Sequence, residues 1–149
     1  MNRRKILTLA GAGLVALAAR PAQAGLLDKY RWKRRLLLVF APVKPHPNLV
    51  VQRQRLKDAA AGLKEREVTI IEVVQDSVFV DGKLAIELNA KNLRKEFDTT
   101  IVEFNVVLIG KDGGEKLRRD EAVQVEELFK TIDAMPMRQQ EMRQRGQKT

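Results

Sequence analysis

Three short runs of the sequence are apolar at most positions, and each predicts a strand buried on both faces of a sheet. They are residues 36–41, 68–74 and 106–109. Runs of this kind are typical of inner strands in a sheet covered by helices, whereas a strand with one wet face alternates apolar and polar residues. We therefore expect a central sheet built around these three segments.

Helical periodicity fills the gaps between the runs. Apolar residues spaced along 49–63 predict a helix between the first two strands, with Asn48 as its N-cap. Asn89 is placed to cap a second helix, and the apolar residues within 125–132 recur at i, i+3, i+4 and i+7, which predicts a third. Each long gap between predicted strands thus contains one helix.

Two turns complete the pattern. Asp81-Gly82 suits a tight turn and predicts a small hairpin within residues 78–85. The glycine-rich residues 110–114 lead into a polar strand at 115–118, suited to a sheet edge. The element order is that of a minimal thioredoxin-like α/β fold. We expect a mixed sheet of about four strands, a βαβ unit plus a C-terminal ββα unit, flanked by helices.

The first 24 residues have the composition of a cleaved export signal. Residues 2–5 are basic, residues 6–19 are uncharged and mostly apolar, and residues 22–24 form a small-x-small cleavage site. The apolar stretch is shorter than the roughly 20 residues that span a bilayer. We therefore predict a periplasmic or extracellular protein. Arg3-Arg4 fits the twin-arginine route as well as the general secretory one.

The predicted organisation is thus a signal at 1–24, one domain at 25–137 and a basic polar tail at 138–149, partly helical or disordered. The chain carries a formal net charge of +9, part of which lies in the signal. The remaining charge is mild, so we expect no nucleic-acid partner. No later apolar run is long enough to span a membrane after cleavage.

Three segments resemble a known family. They are residues 32–42 (WKRRLLLVFAP), 106–118 (VVLIGKDGGEKLR) and 132–143 (IDAMPMRQQEMR). The chain resembles an uncharacterised bacterial family of unknown function, similar to the peroxiredoxin-like domain of animal sushi-repeat and related secreted matrix proteins. The resemblance implies a thioredoxin-like fold and an exported setting, and it brings no established catalytic residues.

The chain contains no cysteine. A thioredoxin-like redox site needs a thiol just after the first strand, where the N-terminus of the first helix stabilises the thiolate. It also has a cis-proline before the third strand. Here residues 42–48 occupy the first place, and residues 103–105, without proline, occupy the second. Thiol–disulfide exchange and thiol peroxidase chemistry are excluded, because both need sulfur that can form a mixed disulfide or a sulfenic acid.

Other chemistries find little support. His46 is the only histidine and Ser77 the only serine, and nothing in the pattern brings them together with an acid. His46 also lacks neighbouring ligands of the type that bind metals. We therefore predict no catalytic residue, no metal and no cofactor. An enzyme with an unrecognised, non-thiol active site is the alternative to a binding module.

A binding site is predicted on the loop and helix that follow the first strand. In parallel sheets, ligands meet the carboxyl ends of the strands, and a helix N-terminus there favours an anion. The candidate partner-binding residues are Lys44, His46, Asn48 and Arg53. The partner would be an unknown protein or an anionic partner in the cell envelope. Alternatively, the prolines of this loop only rigidify a segment left over from a lost redox site.

Basic residues also cluster at 29–35, around Tyr30 and Trp32, and in the tail. Two interpretations stay open for them. They are ordinary solvated charges with aromatic anchors, or they contact an anionic glycan, lipid headgroup or acidic protein surface.

The signal makes one direct prediction. The exported protein should begin at Gly25, because Ala22 and Ala24 offer the small side chains that signal peptidase requires. Intact-mass measurement of the exported fraction tests this, and an exported chain that still carries residues 1–24 would contradict it.

Overall fold

The strand β1 (Arg35–Ala41) lies inside the sheet, as predicted. The computed structural model describes residues 25–147. β1 pairs in parallel with β2 (Val68–Val74) and antiparallel with β5 (Asn105–Ile109). Every residue of β1 is buried. The predicted α/β class, with a parallel β1–β2 pair at its centre, is confirmed.

The sheet has six strands among these residues, where we expected about four. The predicted small hairpin forms β3 (Ser77–Val80) and β4 (Lys83–Leu84), and it extends the sheet beyond β2. On the other side β6 (Glu115–Arg119) pairs with β5 as an edge strand. The strand order is β4-β3-β2-β1-β5-β6. The count is higher because the hairpin continues the β2 ladder instead of standing apart from it.

Helices cover both faces of the sheet, and the side chains of β1 alternate between them. Leu37 and Val39 point into a core under α1, α2 and α4, while Leu38 and Phe40 point into a core beneath α3. This alternation is the period of two expected for a strand. The helices are α1 (Pro47–Asp58), α2 (Ala60–Glu65), α3 (Ala90–Glu96), α4 (Val125–Asp133) and α5 (Pro136–Gly146).

The helix predicted between the first two strands is divided in two. It is interrupted at Ala59, whose backbone angles of φ −102° and ψ 13° are not helical. The second piece then packs closely against α4, because a Cβ at Gly62 would lie 2.6 Å from the Phe129 ring. Only glycine fits this contact without a shift of the ring.

The segment predicted as a basic polar tail, partly helical or disordered, is helical as far as Gly146, and α5 begins at Pro136, before the boundary that we placed after residue 137. Arg138 is 1% exposed. Its guanidinium donates from Nε to Asp133 Oδ1 at 3.0 Å and from Nη2 to Glu65 Oε1 at 2.9 Å. Because these charges are paired with carboxylates of the domain, the segment is packed and is not a solvated tail.

A second ion cluster fixes α5 to the start of β1. The Arg35 side chain is fully buried, and its Nη1 and Nη2 donate to the two carboxylate oxygens of Glu141, each at 3.2 Å. Lys111 Nζ donates to Glu141 Oε1 at 2.6 Å. Burial opposes ionisation of Glu141, but the bonds from Arg35 and Lys111 outweigh it and hold the Glu141 pKa below its usual range.

The burial of β1 can be tested by substitution of one of its residues. Leu38 is 0% exposed, so Leu38→Asp places a carboxylate without a partner in the core. The cost, about 3 kcal/mol or more, is comparable to a large part of domain stability. We expect loss of the cooperative thermal transition in circular dichroism. A variant that melts like the wild-type protein would show that the strand is not in the core.

Glu141→Gln tests the ion cluster. Removing the carboxylate leaves the fully buried Arg35 without its carboxylate partner, while Lys111 keeps Glu67, and the loss should cost about 3 kcal/mol at pH 7. Because the folded pKa of Glu141 is lowered below its unfolded value, its contribution is present at neutral pH and is lost as the pH falls through that lowered folded pKa. Thermal melts between pH 7 and pH 3 should therefore converge for the two proteins.

Glu121→Gln is the matched control, since Glu121 is exposed in the loop before α4. It should melt within about 0.5 kcal/mol of the wild-type protein. Equal stability of Glu141→Gln and the control at pH 7 would mean that the cluster does not fasten α5.

Candidate functional site

Three of the four predicted partner-binding residues contact different neighbours within the domain. Lys44 and His46 belong to the loop that leaves the carboxyl end of β1, and the Lys44–Pro45 peptide bond in that loop is cis. Asn48 and Arg53 lie on α1 but reach different neighbours.

Asn48 is not the N-cap of α1, which corrects our prediction. The helix begins at Pro47, so His46 is the N-cap and Asn48 is the second helical residue. Proline suits the first helical position because its missing N–H would have no partner there, and this moves the helix start two residues earlier than predicted. The Asn48 side chain instead accepts a hydrogen bond from the Ala122 backbone N–H at 3.4 Å.

Arg53, which was predicted to bind an anionic partner, forms an ion pair within the domain and keeps a partly exposed side chain. Its Nε and Nη2 donate to one carboxylate oxygen of Glu72, at 2.8 and 2.6 Å. Glu72 lies on β2, so Arg53 faces the sheet and its charge is compensated there. Glu72 is a charged residue within the mostly apolar run of β2, and it was the signal in the sequence for this pair.

His46 joins two loops. Its ring stacks on Phe104, with centroids 5.3 Å apart and an interplanar angle of 2°. Phe104 immediately precedes β5. The stack therefore connects the loop after β1 with the loop before β5, the two places where a thioredoxin-like redox site has its thiol and its proline. His46 is half-buried.

Gln52, near the middle of α1, fixes this helix to the domain and was not predicted to do so. Gln52 is 0% exposed, accepts a hydrogen bond from the Val123 backbone N–H at 2.7 Å and donates to the Val123 carbonyl at 3.3 Å. Gln52 follows Leu49 by three residues and precedes Leu56 by four, so its amide falls on the apolar stripe of the helix. This position was the signal in the sequence that Gln52 is buried. The contact ties α1 to the loop that enters α4.

Exposed apolar side chains surround the ring stack. Val43 (47% exposed) lies in the loop after β1, and Val50 (57%) lies one turn into α1, with its N–H bonded to the His46 carbonyl. Ile101 (56%) and Val102 (78%) lie in the turn before Phe104. We call these four residues the loop surface. All four side chains are apolar, whereas the sequence pattern favoured a site for an anionic partner.

The basic cluster at 29–35 is also not one surface. Arg35 is buried in the ion cluster, and Arg34 donates to the Val68 carbonyl and to Thr69 Oγ1. Arg31 lies 3.6 Å from a carboxylate oxygen of Asp28 in an exposed ion pair. Most of these charges therefore have partners within the domain.

Within residues 25–147, no three side chains of His, Asp or Glu lie close enough together to hold a metal ion. In the same part of the chain, no helix combines the length and apolar character needed to cross a bilayer. The predicted signal at 1–24 lies outside the described residues.

The topology, together with the site where the loops after β1 and before β5 meet, defines a thioredoxin-like α/β domain. Similar solved structures include the reduced 2-Cys peroxiredoxin of Plasmodium vivax, at 17% identity and a TM-score of 0.56, covering 76% of this chain and 84% of that one. Thioredoxin peroxidase I of Plasmodium yoelii gives 19% identity and a TM-score of 0.58, covering 76% and 79%. At such identities the likeness shows the fold alone.

The chain belongs to the family described as Domain of unknown function (DUF4174), whose profile matches residues 26–141. Sushi repeat-containing protein SRPX2 of Homo sapiens is 36% identical over 126 residues, covering 82% of this chain and 27% of that protein. Sushi repeat-containing protein SRPX of Homo sapiens is 32% identical over 123 residues, covering 80% and 26%. The chain thus spans about a quarter of the length of these relatives. The predicted resemblance is confirmed.

The chain differs from the peroxiredoxins at the place that matters for their chemistry. The N-terminus of α1 carries His46 and Pro47, and the 149 residues contain no cysteine. A thiol peroxidase needs a thiolate at which the peroxide is reduced. Peroxiredoxin-type chemistry therefore has no nucleophile in this chain.

Proposed function

We propose that this protein is an exported interaction module that binds a partner protein of the cell envelope through the loop surface. The supporting observation is a group of exposed apolar side chains, Val43, Val50, Ile101 and Val102, around the His46–Phe104 stack. They lie on the loop after β1, on the first turn of α1 and on the turn before β5, at the redox position of the fold, in a chain without a thiol. Export is proposed from the signal pattern of residues 1–24.

Magnitudes favour an apolar contact over an anionic one. Covering an exposed valine or isoleucine contributes about 1.5–3 kcal/mol, whereas an exposed ion pair contributes about 0–1 kcal/mol. Four such side chains form this surface, and the exposed cation Lys44 lies beside Val43 in the same loop. The exposed carboxylate of Glu103 lies in the same turn as Val102, so charges of both signs lie near the surface. Apolar burial would therefore supply most of the binding free energy.

The surface is also held in place before binding. The ring stack joins its two loops, and Gln52 fixes α1 against the loop before α4. The Thr100 N–H donates to the Glu103 side chain at 2.8 Å, which closes the turn that carries Ile101 and Val102. A surface that is ordered beforehand loses less conformational entropy when a partner binds.

The test is quantitative capture from an envelope extract with immobilised protein. Val50→Asp combined with Val102→Asp should reduce recovery of the specific partner at least tenfold, because two charges then enter an apolar interface. Both positions are exposed, so the melting temperature should stay within a few degrees of the wild-type value. Lys44→Ala should change recovery by less than about threefold.

Ile86→Asp is the matched control, since Ile86 is an apolar residue 89% exposed outside the loop surface. A protein whose recovery falls equally with Ile86→Asp and with the double variant binds nonspecifically. If the double variant captures the same set of proteins at the same level as the wild-type protein, the loop surface is not the contact site.

A further inference from the structure

We propose a second binding site, separate from the loop surface, for an amphiphile with one alkyl chain and an anionic headgroup. The site is a cleft of about 550 Å³ between the α1–α2 pair and β2. That volume lies within the range of ordinary small-ligand pockets. Its position on the hairpin side of the sheet makes it independent of the proposed partner surface.

The floor of the cleft is apolar. Leu56 and Leu63 descend from the two helices, and Val68 and Ile70 rise from β2. The first three are about 95% buried in the core, while Ile70 is only half-buried and faces the cleft. A hydrocarbon chain lying on this floor would cover apolar surface that water now contacts.

The rim of the cleft has an excess of positive charge. Four cations line it, and of its two carboxylates Glu72 is bound by Arg53, while Asp81 accepts the backbone N–H of Ile70 at 2.9 Å. Among residues 25–147, no carboxylate lies within 4 Å of the Lys57 or Lys64 ammonium groups or of the Arg34 guanidinium. The three uncompensated cations are Arg34, Lys57 and Lys64.

An apolar floor with an uncompensated cationic rim selects both parts of one ligand. The alkyl chain supplies most of the binding free energy, because each methylene group that is removed from water stabilises the complex. The headgroup needs a negative charge to meet Lys57 or Lys64, and a cationic headgroup would be repelled. A short-chain anion lacks the first contribution and a cationic amphiphile lacks the second.

Three probes separate these contributions in calorimetry and amide-shift experiments on the purified protein. They are dodecanoate, dodecyltrimethylammonium and butyrate, each below its micelle concentration. We expect saturable binding of dodecanoate at one site, with shifts concentrated at Leu63 and Ile70. Binding of dodecyltrimethylammonium and of butyrate should be at least tenfold weaker. Equal binding of the two twelve-carbon probes, or shifts spread over the whole surface, would overturn the proposal.

Two variants test the site itself. Lys57→Gln combined with Lys64→Gln should weaken dodecanoate binding at least fivefold, and the exposed pair Lys91→Gln with Lys95→Gln on α3 is the charge-matched control. Ala60→Trp should block the cleft from its exposed wall. If Ala60→Trp folds with an unchanged melting temperature and still binds dodecanoate as the wild-type protein does, the cleft is not the site.

Discussion

The ion pair between Arg35 and Glu141 is the constraint that closes this domain. Arg35 is the first residue of the innermost strand and is fully buried, so its charge requires a carboxylate partner. That partner lies 106 residues further along the chain, on the last helix. Such a pair contributes little net stability compared with a well-packed apolar pair, but losing one member is costly. The pair therefore specifies where α5 must lie.

The layer of helices on the α1 face is held at both of its ends. At one end, the guanidinium of Arg138 joins α5 to the last residue of α4 and to Glu65 at the end of α2. The Arg66 and Arg138 bonds hold the Asp133 pKa below its ordinary range, with the bond from Arg66 the larger cause. At the other end, Gln52 ties α1 to the loop before α4. Polar contacts fix these ends, and apolar packing fills the space between them.

Much of the fold follows from local patterns in the sequence. The buried strands, the hairpin at Asp81-Gly82 and the cap at Asn89 are all present, and the cap bond from the Asn92 N–H is 3.0 Å long. These features depend on neighbours in sequence, so periodicity and turn chemistry determine them. The number of strands depended on whether a short hairpin would join the sheet, which no local pattern decides.

The candidate site was less accessible to such reasoning. Arg53 and Arg35 look like surface charges in the sequence, and only the positions of Glu72 and Glu141 in the folded chain show that they are internal. The proline at the first position of α1 displaced the cap from Asn48 to His46. Composition gives the number of charges, but the tertiary structure decides which of them keep an uncompensated charge.

The stabilising contacts of the domain lie apart from the redox position, and this separation explains how the fold persists without a thiol there. The ion clusters lie at the end of the domain where β1 begins, and both cores lie above and below the sheet. The redox position lies where β1 ends, on a loop that the His46–Phe104 stack holds in place. The buried contacts that close the domain lie in the two cores and the ion clusters, and His46 reaches them through Phe104, which belongs to the core under α1, α2 and α4. Because stability and the loop surface depend on different residues, the loops can carry exposed apolar side chains at no cost to the core.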